Sequence, residues 1–418
     1  MDLKQIMKML GKNARKAAED AANLGTAIKN KCLEDMANEI EAASKDIEIA
    51  NQEDLKNGRK LNLSSAMLDR LELTQKRMKA MVEGLKEVAA LQDPVGEEIR
   101  FWTRPNGLRI SKVRVPIGVI GIIFESRPNV TADAASLCFK SGNAVILRGG
   151  KEAIETNQAI SSVLRRALEK NCVNSDIIQL IQTTDREAVK IMLGMNEHID
   201  LIIPRGGEGL IRAVTEMSKI PVIKHYKGVC HVYIDKMANI EMAKSILINA
   251  KVQRPSVCNA AETLLVHQKI AKRILPILDE SLRKNGVEIR GCSETIKILP
   301  LSKEAIEDDW SEEYLDLVLS VKVVKDIEDA IQHISRYGSA HSDCIVTDDL
   351  KAAEIFVKKV DSSAVFHNAS TRFNDGFQFG LGAEIGISTD RLHARGPMGL
   401  EELNTYKYVV RGEGQVRD

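Results

Sequence analysis

The chain has 418 residues, and 59 basic side chains balance 59 acidic ones, so its net charge is zero. At roughly 100–200 residues per domain, this length suggests two or three domains. The missing basic surplus moves nucleic acid and anionic membrane down the order of partners. The hydrophobic fraction of 44% is ordinary for a globular chain. The longest apolar run, 115–124, contains Pro116, Gly118 and Gly121, and falls short of the ~20 residues that a membrane helix needs. Asp2, Glu19 and Asp20 interrupt the N-terminal segment, which argues against a signal or transit peptide. A cytoplasmic protein is expected.

Residues 1–90 read as helices. Leu3, Ile6, Met9, Leu10 and Ala17 recur near the helical period, as do Ile40, Ala43, Ile47 and Ala50, then Met78, Met81, Val82, Leu85 and Val88. The period then changes. Two extended runs, 98–103 and 108–115, flank Arg104-Pro105-Asn106-Gly107. Asn-Gly there predicts a hairpin with a type I′ turn. A slip in the alternation between Ile110 and Val113 predicts a bulge.

Strands and helices alternate from there. Apolar runs at 117–124, 144–147, 177–181 and 201–203 each precede a helical stretch. A second such block follows Cys258, with runs at 263–266, 315–324, 344–346 and 363–366. This order implies parallel sheets covered on both faces, in two α/β domains with a projecting hairpin.

The dinucleotide fingerprint G-x-G-x-x-G is absent. Gly207-Glu208-Gly209 continues as Leu210-Ile211-Arg212, and Gly380, Gly382 and Gly386 are wrongly spaced. No phosphate loop, G-x-S-x-G elbow or H-E-x-x-H helix occurs. Nucleotide binding by another geometry stays open. The seven cysteines form no C-x-x-C pair, which suggests free thiols and no zinc site on spacing; no metal is expected.

Cys258 is the candidate nucleophile. Pro255 and small polar neighbours make 253–260 a loop before the strand around Leu264, at the mouth of a parallel sheet, where α/β proteins place chemistry. Arg254 favours thiolate over thiol. The alternative is a buried structural cysteine, which is the reading for Cys138, Cys230, Cys292 and Cys344.

Several stretches then match a known pattern: FESRPNV from Phe124, NAVILRGG from Asn143, and QRPSVCNAAETLL from Gln253. VVKDIEDAIQHISRYGSAHSDCI from Val323 and STRFNDGFQFGLGAEIGIST from Ser370, with HARGPMG from His393, complete it. In this order they resemble the gamma-glutamyl phosphate reductase family of the aldehyde dehydrogenase superfamily. Asp390 stands where many members carry glutamine.

The resemblance implies an aldehyde dehydrogenase-like α/β fold with two doubly wound parallel-sheet domains and a projecting oligomerisation hairpin. Residues 1–96, 116–227 and 370–402 would form the cofactor-binding domain, 228–369 the catalytic domain, and 97–115 with 403–418 the oligomerisation elements. The implied reaction is NADPH-dependent reduction of L-glutamyl 5-phosphate to L-glutamate 5-semialdehyde, with loss of phosphate, in proline biosynthesis. Cys258 would displace phosphate and carry the glutamyl group as a thioester.

Charge on the carbonyl oxygen needs donors already in place. Asn129 and Arg127 are both candidates, and Asn129 could instead cap the next helix. The basic turn Arg148-Gly149-Gly150-Lys151 would favour NADP through its 2′-phosphate, unless its cations are ordinary surface charges. Arg205-Gly206-Gly207, at a helix start, would face the pyrophosphate, and Glu313 the nicotinamide ribose. Ser126, Arg254, Thr371, Arg372, Asp375, His393 and Arg395 would contact the substrate, although each could be a surface ion-pair residue. His341 reads as structural. No acid occurs from Lys219 to Tyr233, the segment in which aldehyde-oxidising relatives carry a glutamate base. The thioester would then be spared hydrolysis.

Two rival readings stay open. One is an NAD-dependent semialdehyde dehydrogenase. The other is a binding protein that kept the fold and lost reactivity at Cys258. The hairpin and the tail 407–410 are extended and would be unpaired on a lone subunit, so a homodimer or dimer of dimers is expected. A transient contact with a glutamate kinase is a further partner to consider.

Overall fold

The computed structural model describes residues 2–417. In chain order the elements begin with α1 (Leu3–Ala22), α2 (Thr26–Ala42), α3 (Ser44–Lys60), α4 (Ser65–Leu71) and α5 (Gln75–Ala90). Strands β1 (Glu98–Thr103), β2 (Arg109–Pro116) and β3 (Val119–Phe124) follow, then α6 (Val130–Lys140) and β4 (Ala144–Arg148). Next come α7 (Ile154–Lys170), β5 (Ile178–Leu180), α8 (Arg186–Leu193), β6 (Leu201–Arg205) and α9 (Glu208–Met217). The second block has β7 (Cys230–Ile234), α10 (Ile240–Val252), β8 (Ala261–His267), α11 (Gln268–Lys284), β9 (Glu288–Gly291) and α12 (Ser293–Ile298). It continues with β10 (Lys303–Glu304), β11 (Val318–Val324), α13 (Ile327–Tyr337), β12 (Ser342–Val346), α14 (Leu350–Lys359) and β13 (Ala364–His367). Short β14 (Ile387–Ser388) and β15 (Gly396–Pro397) precede β16 (Asn404–Arg411).

Helix α1 forms because Asp2 and Gln5 close a reciprocal capping box across its first turn. Its buried face differs from the expected one. Ile6 and Met9 are exposed, and Met7, Gly11, Ala14, Ala17, Ala18 and Ala21 are buried. The small residues allow close packing: a Cβ on Gly11 would lie 2.3 Å from Met195 Cε.

The hairpin forms at the predicted place with a different turn. Gly107 has φ +87°, whereas Asn106 is not among the positive-φ residues. Pro105 explains this, because its ring fixes a negative φ at the first corner of the turn, 104–107. Arg104 O accepts from Gly107 N at 2.9 Å, and Arg104 N donates to Leu108 O at 2.8 Å. This is a type I turn followed by a left-handed glycine. The bulge lies on β1, where Glu98 and Arg100 face the adjacent residues Val113 and Lys112. The tail is not unpaired either: β16 runs antiparallel to β2 from Asn404–Pro116 to Arg411–Arg109.

The chain divides into two compact units. The first holds residues up to 224, with 380–386 and 398 onward; the second holds 225–379 and 387–397. The resemblance assigns 370–402 wholly to the cofactor unit, but 370–379 and 387–397 lie with the second. Pairing of β14 with β15 and the Arg395–Asp361 ion pair at 2.6 Å account for 387–397. The first unit has a parallel sheet in the order β5-β4-β3-β6. Successive strands β3, β4 and β5 run to one side and β6 to the other, so the winding reverses at β3. Ligands of such sheets bind at the carboxyl edge of that reversal.

The second unit has a seven-stranded parallel sheet, β10-β9-β11-β8-β7-β12-β13. Alternate residues serve opposite faces. Val232, Ile234, Leu264, Val266, Cys344 and Val346 join one core, while Tyr233, Leu265 and Ile345 join another. A strand buried on both faces is apolar except where a buried polar group finds a partner, as Glu262 and Asp343 do, which is why these runs do not alternate in sequence.

Buried His333 gives this unit a pH dependence. Burial, reinforced by His231 and Lys322, pushes its pKa down to about 2. Lys322 Nζ lies 3.1 Å from its Nδ1. The unfolded chain then binds a proton below the ordinary histidine pKa that the folded chain refuses, so stability falls as pH drops below about 6.5. The loss approaches ~1.4 kcal/mol per pH unit. In urea unfolding at pH 7.5 and 5.5, His333→Gln should show a smaller loss than the parent. Equal losses would be the contrary result.

Candidate active site

In the second unit the loops entering β7, β8 and β12 share one edge of the sheet, because the strands are parallel neighbours. Cys258 lies in the loop entering β8. It therefore sits at the amino edge of its sheet, not at the carboxyl edge that the open-sheet rule favours. Lys251 ends α10 before the loop and Glu262 opens β8 after it. Their fully buried ion pair, 2.6 Å, ties the two ends together. Burial pushes Glu262 up to about 7 against the opposing pull of Lys251. Its other oxygen accepts from Leu315 N at 3.3 Å.

The seven thiols are not equivalent. Cys32, Cys138, Cys230 and Cys344 are buried, and burial pushes each of their pKa values up. Cys292 accepts from Val323 N at 3.4 Å and lies 3.4 Å from Thr295 Oγ1. Cys172 is exposed, and Cys258 is half-buried. Cys292 is half-buried too, but its sulfur is engaged by a strand N–H, whereas Cys258 combines partial access with two nearby imidazoles and a loop held at both ends.

That surround comes from residues far away in sequence. A Cβ on Gly228 would lie 2.0 Å from Cys258 O and 2.6 Å from its Cα, so a glycine is required there. Gly228 N donates to Glu313 Oε1 at 2.9 Å. Cys230 Sγ donates to Cys258 O at 3.1 Å. His225 and His341 each bring a ring nitrogen within 4.8 Å of Cys258 Sγ. His225 Nδ1 lies 2.8 Å from Ile387 O, and His341 Nδ1 2.8 Å from Ser342 Oγ. His341 does precede a buried strand, as expected, yet it also faces the thiol.

The 370–378 segment locks onto the same loop. Thr371 Oγ1 donates to Asn259 O at 2.8 Å, and Asn259 Nδ2 donates to Asn374 O at 3.0 Å. Arg372 donates to Asn259 Oδ1 and, at 2.8 Å, to Gln253 Oε1. Burial and then the nearby Arg254 charge lower the Arg372 pKa. Arg372 and Asp375, with Asn249, Gln253, Phe373 and Gln378, line a cavity of about 200 Å³. Asp375 Oδ1 accepts from Phe377 N and Gln378 N, at 3.0 and 3.2 Å. Arg395 is paired with Asp361, and His393 is exposed with φ +65°.

In the first unit the remaining candidates collect at the carboxyl edge. Glu125 N donates to Arg205 O at 3.1 Å, and Glu125 Oε2 accepts from Gly207 N at 3.0 Å, at the start of α9. Ser126, at φ +41°, donates to Glu152 Oε1 through both N and Oγ, at 2.7 and 2.6 Å. Arg127 O accepts from Val130 N at 3.0 Å. Asn129 occupies the cap position of α6 but makes no side-chain cap bond. Its Nδ2 donates instead to Asp133 Oδ2 at 2.8 Å, which leaves one amide N–H beyond that bond. Burial raises Asp133 to about 6, opposed by Asn129 and Arg205.

The glycines of the basic turn are closely packed. A Cβ on Gly149 would lie 2.0 Å from Asn157 Nδ2, and one on Gly150 2.1 Å from Glu152 Oε1. These glycines make room for the chain's own side chains. Arg148 donates to Gly149 O at 2.9 Å, burial lowers its pKa, and its buried Nε has no partner among the described residues. Lys151 is exposed.

Sequence reasoning missed Gly228, His225 and Asn259 as builders of the cysteine site. The absence of an acid across 219–233 drew attention to that segment, but nothing in it signals that its backbone abuts Cys258.

A model described as the aldehyde dehydrogenase family matches residues 3–306. The chain is 54% identical over 417 residues to the gamma-glutamyl phosphate reductase of Thermodesulfovibrio yellowstonii, covering 100% of both chains. It is 56% identical over 411 residues to that of Caldanaerobacter subterraneus, covering 98% of this chain and 99% of the relative. The crystal structure of gamma-glutamyl phosphate reductase from Thermotoga maritima is similar at a TM-score of 0.97 and 48% identity, covering 99% of this chain and 100% of that one.

Proposed function

The chain belongs to the aldehyde dehydrogenase family, and from that premise we propose that it reduces gamma-glutamyl phosphate to glutamate 5-semialdehyde. Phosphate is released, NADPH is the reductant, and Cys258 carries the glutamyl group. One observation carries the reading: a half-buried thiol on a loop held from both ends, in a chain that matches gamma-glutamyl phosphate reductases along its whole length.

Cys258 sulfur attacks the acyl carbon, the carbon–oxygen bond to phosphate breaks, and phosphate leaves. A thioester remains, and its carbonyl accepts an electron pair more readily than a carboxylate does. The Cys258 backbone N–H is the proposed oxyanion donor. Arg372 and Arg254 supply positive charge beside the loop for the departing phosphate. Glu313 holds the Gly228 amide through Oε1, and its carboxylate would also hydrogen-bond the nicotinamide ribose.

Two features of the first unit's edge support a dinucleotide phosphate there. Arg148 keeps an orphaned buried Nε, and a Cβ on Gly207 would meet nothing within 4 Å. Arg148 and Lys151 would hold the 2′-phosphate, and Arg205, Gly206 and Gly207 the pyrophosphate once the Glu125 carboxylate gives up the Gly207 N–H. When bound, the nicotinamide supplies the hydride that converts the thioester to aldehyde and frees the thiolate.

No helix among the described residues is long and apolar enough to cross a membrane. Both edges of the β1-β2-β16 sheet are open within the described chain, with Phe101 and Tyr408 exposed. Pairing with a second copy is the proposed use of those edges.

The test runs the reaction in reverse. Semialdehyde, phosphate and NADP should give NADPH only when phosphate is present. An equal rate without phosphate would establish the semialdehyde-oxidising rival.

A further inference from the structure

The loops that enter the neighbouring strands β7, β8 and β12 bring three soft donors together. Cys258 Sγ and one ring nitrogen each of His225 and His341 lie mutually within 4.8 Å. We propose that these residues form a reversible binding site for a soft divalent cation, with Zn²⁺ the best match, and that the bound metal blocks the reaction.

The donor chemistry selects the ion. One thiolate and two imidazoles suit zinc, whereas Mg²⁺ and Ca²⁺ demand oxygen ligands. Three protein ligands leave a fourth tetrahedral position for water. In such a complex the donor atoms stand about 3.3–3.6 Å apart, so closure needs side-chain shifts on the order of 1 Å. Both rings are already oriented from behind. His225 Nδ1 is engaged by Ile387 O at 2.8 Å, which places the coordinating lone pair on Nε2. His341 Nδ1 is 2.8 Å from Ser342 Oγ, which itself accepts from Asn374 Nδ2 at 2.7 Å. The rings stand 5.5 Å apart and 67° inclined, with the thiol beside them. Coordination releases the thiol proton to solvent and occupies the sulfur lone pair. Charge drawn into the metal bond weakens attack on an acyl carbon, and the metal takes up space beside the sulfur that the substrate must enter. Sequence spacing hides the site, because its ligands come from three separate loops.

Co²⁺ is the probe. Added to the reduced full-length chain, it should give a sulfur-to-cobalt charge-transfer band that saturates at one equivalent and is displaced by Zn²⁺. Cys258→Ser should abolish the band, and His225→Ala should weaken binding at least about tenfold. His225 is only half-buried, so that variant tests the site even where His341→Ala fails to fold. A band that survives Cys258→Ser, or unchanged affinity in folded His225→Ala, overturns the site.

The inhibition rests on Cys258 being the nucleophile. Zn²⁺ should stop phosphate-dependent NADPH formation, and a chelator should restore it. Full activity at saturating Zn²⁺, with the cobalt band present, overturns the blocking role and the nucleophile assignment together. Enzyme that depends on Cys258 but gives no band overturns the metal site alone.

Discussion

Cys258→Ala should lower phosphate-dependent turnover by on the order of 10⁴-fold or more, a loss of the size seen when a covalent nucleophile is removed from other enzymes. The argument starts from the thiols themselves. Four are buried, and burial keeps them protonated. Cys292 is bonded at the edge of β11, and Cys172 is exposed without a comparable surround. Cys258 alone has loop ends tied by a buried ion pair, a glycine pressed on its backbone, and two imidazoles beside its sulfur. The substitution removes one atom from a half-buried position, so unfolding by urea should shift little. Cys172→Ala and Cys292→Ala should stay within about twofold of the parent rate, because neither sulfur reacts. A Cys258→Ala protein that retained a tenth of the activity would sink the covalent route.

The elements most legible in sequence are those set by local periodicity. Strands β3 to β6, β8, β11, β12 and β13 appear where continuous apolar runs predict them, because a strand covered on two faces has little polar side to show, whereas no predicted run marks β7, β9 or β10. The hairpin is legible from Asn106-Gly107, but its turn type is decided by Pro105, whose fixed φ excludes the mirror-image turn. The face of α1 is misread for a related reason. Counting large apolar residues finds Ile6 and Met9, whereas the close approach at Gly11 is made by small ones.

The candidate site divides along the same line. Cys258 is legible because Pro255 and its polar neighbours mark a loop at a strand mouth. Its position at the amino edge is not, since sequence alone does not say which sheet edge a loop occupies relative to its neighbours. His225, Gly228 and His341 are brought to Cys258 by the order β8-β7-β12, a long-range fact with no local signature. At the Arg148–Lys151 turn the sequence shows two cations with glycines between them, but not that Asn157 and Glu152 occupy the space beside those glycines.

Gly228→Ala is expected to reduce turnover by about 10²-fold or more, although it touches no reacting atom. Its new methyl would lie 2.0 Å from Cys258 O, 2.6 Å from C and 2.6 Å from Cα. These are backbone atoms with no rotamer to retreat into, so one loop must move. Gly228 is held by Glu313 through its N–H at 2.9 Å, and Cys258 O by Cys230 Sγ at 3.1 Å. Movement therefore breaks one of these bonds or displaces the nucleophile by on the order of 1 Å, which is enough to cost about 10²-fold in rate. Overpacking should also destabilise the second unit by about 1–3 kcal/mol. Gly84→Ala is the control. It adds the same methyl within α5, where nothing lies within 4 Å, and it should stabilise by about 0.4–1 kcal/mol. Turnover, thermal unfolding and the rate of Cys258 alkylation, measured together, separate the two effects. Displacement of the loop should change the alkylation rate in protein that is still folded. Gly228→Ala behaving like Gly84→Ala in all three would mean that the packing of this glycine against the cysteine backbone does not position the sulfur.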